Sequence, residues 1–103
     1  MYLYNITFAA DAAIERELTE WLAGVFIAES TAGPDALMQR PALLRVTGRG
    51  EPGTVSLAVH MYAESAGDIE LWYADHGSRL FADAMARWGE RAVFFPTTLE
   101  VLA

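Results

Sequence analysis

With 103 residues the chain has room for a single domain, 1–103, and its hydrophobic fraction of 53% is high for so short a soluble protein. Seven arginines and no lysine face fourteen acids, for a net charge of −7, which argues against nucleic-acid and anionic-membrane partners and excludes lysine Schiff-base chemistry. The absence of cysteine excludes disulfides, thiolate metal sites and cysteine nucleophiles.

A chain this short buries only roughly 65% of its unfolded surface, so the excess of apolar residues is most simply placed against a second subunit. Met1 to Phe8 has no basic run and no long apolar one. Neither a signal peptide nor a membrane span is expected there, and a cytoplasmic location is the default expectation.

Tyr2, Tyr4, Ile6 and Phe8 alternate with Leu3, Asn5 and Thr7, and this period of two predicts a strand over 2–8. Asp11 is an N-cap, after which Ile14, Leu18, Trp21, Leu22 and Val25 repeat at the spacing of one helical face. The predicted helix covers residues 12–29, with Glu15, Glu17 and Glu20 on a solvated face. Thr31-Ala32-Gly33-Pro34 ends it, since glycine suits a left-handed C-terminal position and proline blocks continuation.

Residues 35–41 are a connector with no predicted structure. Strands follow over 43–49 and 55–62, and the turn residues Gly50-Glu51-Pro52-Gly53 between them make an antiparallel hairpin. Ser65 with Asp68 resembles a capping box, with the shorter Asp in place of Glu, and opens a second helix over 66–88. Ile69, Trp72, Tyr73, His76, Leu80 and Ala84 make its expected buried stripe, with Asp75–Arg79 and Asp83–Arg87 as i,i+4 ion pairs outside. Gly89 stops it, and residues 91–102 form a fourth strand in which Pro96 implies an edge position or a bulge.

The order β-α-β-β-α-β predicts an α+β domain of ferredoxin-like type, with a four-stranded antiparallel sheet and both helices on one face. Alternation assigns Tyr2, Tyr4, Ile6 and Phe8, with Val55, Leu57, Val59 and Met61, to the helix-covered side. Leu3, Asn5, Thr7, Ser56, Ala58, His60 and Tyr62 fall on the uncovered side. Their mixture of small, polar and aromatic groups fits either a homodimer interface or a pocket wall.

His76, at the centre of the second helix's expected stripe between Tyr73 and Leu80, is a candidate general base or ligand contact, with Trp72 and Tyr73 as further candidate contacts. The plainer alternative is a core or boundary histidine bonded to a backbone carbonyl or a tyrosine. His60 with Asn5, Thr7 and Tyr62 makes a polar cluster able to orient a small ligand, or equally to bond across an interface. The two histidines are expected on opposite sides of the sheet, and no His-x-x-x-His pair or acidic triplet occurs, so neither a metal nor another cofactor is expected. Trp21, Trp72 and Trp88 at helical spacing read as core more readily than as an aromatic cofactor box. Gly48, Gly50 and Gly53 flank a turn and do not open a helix, so they make no phosphate loop.

The chain resembles the domain-of-unknown-function family number 4286, within the dimeric α/β-barrel superfamily, over nearly its whole length. The resemblance rests on Tyr4-Asn5-Ile6-Thr7, Trp21, Tyr73 with His76, and the closing Trp88-Gly89, Phe95, Thr97 and Leu99-Glu100-Val101. It implies a ferredoxin-like fold whose bare sheet packs on that of a second chain. In that superfamily a pocket lies between sheet and helices, in cofactor-free monooxygenases, lactone isomerases, haem-degrading enzymes and stress proteins. Where the family pattern has a histidine late in the first helix this chain has Phe26, and Pro96 replaces an arginine of the last strand. The leading expectation is a small dimeric binding or accessory protein with a modest cavity for a small apolar ligand. The alternatives are a cofactor-independent enzyme acting on a small aromatic or quinone-like compound, and a purely structural interaction domain.

Overall fold

A computed structural model describes residues 1–48 and 50–103. The elements run β1 (Tyr2–Asp11), α1 (residues 15–30), β2 (Gln39–Arg45), β3 (Thr54–Ala63), α2 (residues 66–88) and β4 (Ala92–Glu100), with single 3-10 turns at Ala12–Ile14 and Gly89–Arg91. The four strands form one antiparallel sheet in the order β2-β3-β1-β4. β1 and β3 lie in the middle because their alternate residues are apolar along the whole strand. Tyr4, Ile6, Phe8 and Ala10 of β1 and Leu57, Val59, Met61 and Ala63 of β3 are buried under the helices. Pro96 lies on β4, an edge strand, opposite Ile6, where a residue without an N–H is tolerated.

The predicted caps are present. Asp11 accepts a hydrogen bond from the Ala13 amide at 3.0 Å, and Ser65 Oγ accepts one from the Asp68 amide at 3.1 Å. Gly33 and Gly89, after the two helices, take positive φ of 84° and 53°, which a side chain would resist.

Both helices depart from α geometry in the middle. Leu22–Ile27 of α1 and Tyr73–Gly77 of α2 are π-helical, and a π turn inserts one residue and so shifts the phase of everything after it. Three expectations are corrected on that account. In α1 the residue buried after Leu22 is Phe26, while Val25 is exposed. In α2 the stripe passes from Trp72 through Gly77 to Leu80 and Phe81, leaving Tyr73 exposed and His76 only partly covered. The Asp83–Arg87 pair forms at 3.1 Å, but Arg79 reaches across to Glu29 of α1 in place of Asp75.

The second strand begins four residues before its predicted start and ends at Arg45, with a bulge between Gln39 and Ala42 where Arg40 has a φ of 52°. Arg40-Pro41 has the composition of a loop; the bulge absorbs it without ending the strand. Arg49, the last residue of the predicted strand, lies outside the described residues.

Between sheet and helices lies an aromatic cluster. Phe26, fully buried, has its ring 5.5–6.3 Å from those of Phe81, Trp21, Trp72 and Phe8. Phe81 stacks on Phe94 of β4 at 4.6 Å. Most of these contacts are edge-on or tilted, the arrangement that the ring quadrupoles favour.

Candidate functional site

The six residues singled out from the sequence fall into separate groups. Asn5 and His60 are direct cross-strand partners on the uncovered face of the sheet, and Tyr62 follows His60 on the same face opposite Leu3. The Asn5 amide donates to Thr7 Oγ1 at 3.3 Å, so the polar row is internally braced. Around it, Leu44, Phe95 and Leu99 of the edge strands expose large apolar side chains on this same side, Phe95 to 58%.

His76 and Trp72 lie on the other side of the molecule. The end of α1, the connector after it and the π turn of α2 surround a cleft of about 590 Å³ whose lining includes Glu29, Ser30, Pro34, Leu37, Trp72 and His76. Tyr73 is not part of it. Its ring lies 6.2 Å from Phe81, and it helps burial, the larger cause, push the Tyr4 phenol up to about 12.

The π turn positions the cleft's groups. Trp72 and Gly77 are five residues apart, the spacing that a π turn stacks, and the buried indole lies where a Cβ on Gly77 would otherwise point. The indole Nε1–H donates to Ser30 Oγ at 3.0 Å, and the Ser30 hydroxyl donates to the Phe26 carbonyl at 2.7 Å. Ser30, the one buried polar residue among the described residues, thus has both of its roles filled.

The same turn brings His76 to Glu29, with Nδ1 3.0 Å from Glu29 Oε2, and Arg79 bonds that same oxygen. The Arg79 guanidinium holds the Glu29 carboxyl below the ordinary carboxylate value; burial opposes this and the His76 hydrogen bond adds to it. An ionised Glu29 can only accept, so in the neutral imidazole the proton lies on Nδ1 and Nε2 is an acceptor. Among the described residues Nε2 has no hydrogen-bond partner, and no group of three or more histidines and carboxylates is placed to hold a metal ion.

Sequence reasoning missed Glu29, the last residue of the predicted first helix, and Arg79, which reads as the partner of Asp75. No local signal pairs residues 47 and 50 positions apart along the chain; Glu29 and Arg79 each follow a π turn and His76 lies within one.

The antiparallel β2-β3-β1-β4 sheet with two helices against it defines a ferredoxin-like α+β protein. A solved structure from Deinococcus radiodurans, described as a candidate antibiotic biosynthesis monooxygenase, superposes with a TM-score of 0.69 at 19% identity, covering 100% of this chain and 94% of that one. At that identity the likeness concerns the fold alone. The chain belongs to the family described as "Domain of unknown function (DUF4286)", which matches residues 1–102. None of the curated proteins matches it.

Proposed function

We propose that the protein is a small-molecule-binding homodimer, in which two copies meet through the uncovered sheet face and each holds a ligand in the cleft beside His76. The observation that carries the binding reading is the imidazole held by Glu29 at the wall of a cleft that also has apolar residues in its lining. Ligand sites of this kind combine an apolar body with a few fixed polar groups. A fragment library of small aromatic compounds is expected to shift the side-chain NMR signals of His76 and Trp72. His76→Ala should abolish the response and His60→Ala should leave it. A library that moves neither signal rejects the cleft as the site.

The dimer reading is supported by Leu44, Phe95 and Leu99, which stand exposed on a face that in a monomer would ordinarily be polar. Sedimentation at micromolar concentration should give twice the 11.3 kDa of one chain. Phe95→Asp should return the protein to monomer, because it places a charge on each side of an interface that would exclude water. A wild-type protein that sediments at 11.3 kDa refutes the dimer.

A further inference from the structure

We infer that the cleft selects ligands that present hydrogen-bond donors and carry no negative charge on a small apolar body, and that Glu29 is the positioning residue behind this choice. The inference rests on the cleft being the ligand site. It follows from which polar groups the lining has left to offer. Pro34, Ala36 and Leu37 provide apolar surface. The two neutral donors nearby, the Trp72 indole and the Ser30 hydroxyl, are already given to Ser30 and to the Phe26 carbonyl. What remains on the side chains is acceptors alone: the carboxylates of Glu29, Asp35 and Asp75, and Nε2 of His76.

His76 would be ambiguous without Glu29, since a neutral imidazole can offer either nitrogen as donor or acceptor. The carboxylate accepts the hydrogen bond of Nδ1–H and so leaves Nε2 as the acceptor of the neutral ring. Arg79, the cation nearest this pair, is engaged by Glu29 and is not among the lining residues, and Asp35 and Asp75 form no ion pair among the described residues. An anionic ligand would therefore meet the carboxylates of Asp35 and Asp75 and, with the His76 ring neutral, find no side-chain donor. An ammonium, amino or hydroxyl group would find several acceptors.

The test uses three compounds with the same phenol ring and different tails: tyramine (ammonium), tyrosol (hydroxyl) and 4-hydroxyphenylacetate (carboxylate). Each is titrated into the intact protein at neutral pH and low salt, with the His76 and Trp72 side-chain signals as the readout. Tyramine and tyrosol are expected to bind, and the carboxylate to bind about tenfold or more weaker than tyrosol. Asp75→Asn should narrow the gap between tyramine and the carboxylate. The nitrogen-15 spectrum of His76 should show the proton on Nδ1 in the wild type and a mixture of tautomers in Glu29→Gln, with weaker tyrosol binding.

A carboxylate that binds as tightly as tyrosol overturns the inference and leaves the cleft standing as a ligand site. An unchanged His76 tautomer in Glu29→Gln overturns the positioning role. If all three compounds fail and other fragments occupy the cleft, the same division applies: uncharged or cationic donors support the inference and carboxylates overturn it. If no compound of any kind shifts the two signals, the cleft reading and the inference fall together.

Discussion

Phe26→Ala is expected to cost about 3–5 kcal/mol, the usual range for removing a large ring from a closed core. Phe26 is fully buried and its ring meets four others, from β1, from both helices and from the far end of α2. None of those neighbours is flexible enough to fill the space, since all four are themselves anchored by further ring contacts. A domain of this size is stable by about 5–15 kcal/mol, so the variant would lose a large share of its margin. Urea denaturation should show the midpoint falling with little change in slope. A loss below about 1 kcal/mol would mean that the cluster is looser than its geometry indicates.

Gly77→Ala is the second large effect, and it acts by crowding. A Cβ at this position would stand 2.6 and 2.8 Å from Trp72 Cζ3 and Cη2. The indole is 1% exposed and tied to Ser30, so it has nowhere to retreat. Overpacking of this kind costs about 1–3 kcal/mol and occasionally more. Gly24 is the matched control: it lies in the π turn of α1, a Cβ there would meet nothing within 4 Å, and its φ is not positive. Gly24→Ala should therefore be neutral or stabilise by up to about 1 kcal/mol through helix propensity. Comparable denaturation midpoints for the two variants would contradict the steric account. Gly77→Ala should also disturb the Trp72–Ser30 contact and the cleft beside it.

What was legible in the sequence is what depends on neighbours in the chain. The alternation of Tyr4, Ile6 and Phe8 assigns the faces of β1, and Asp11 and Ser65 mark helix starts through bonds that span two or three residues. What was not legible depends on one extra residue in each helix. Val25 and His76 fit an uninterrupted α-helical period, and Phe26 and Gly77 take their places once a π turn has advanced the phase. Gly77 offers no hydrophobic signal at all, because its role is to leave room beneath the Trp72 ring. The Glu29–His76–Arg79 contact inherits the same difficulty, since Glu29 and Arg79 each follow a π turn and His76 lies within one. The early start of β2 was hidden for a different reason: Arg40-Pro41 breaks the period of two and survives as a bulge.

The prolines of the sheet bear on how copies of this chain can associate. Pro41 lies in β2 and Pro96 in β4, so each of the two outer strands has one position with no N–H, and β2 is further distorted at Arg40. A strand from another molecule that docked on either rim would meet an incomplete ladder. Sideways growth into a continuous, fibre-like sheet is thereby discouraged at both ends, for a protein whose surface is otherwise rich in apolar side chains.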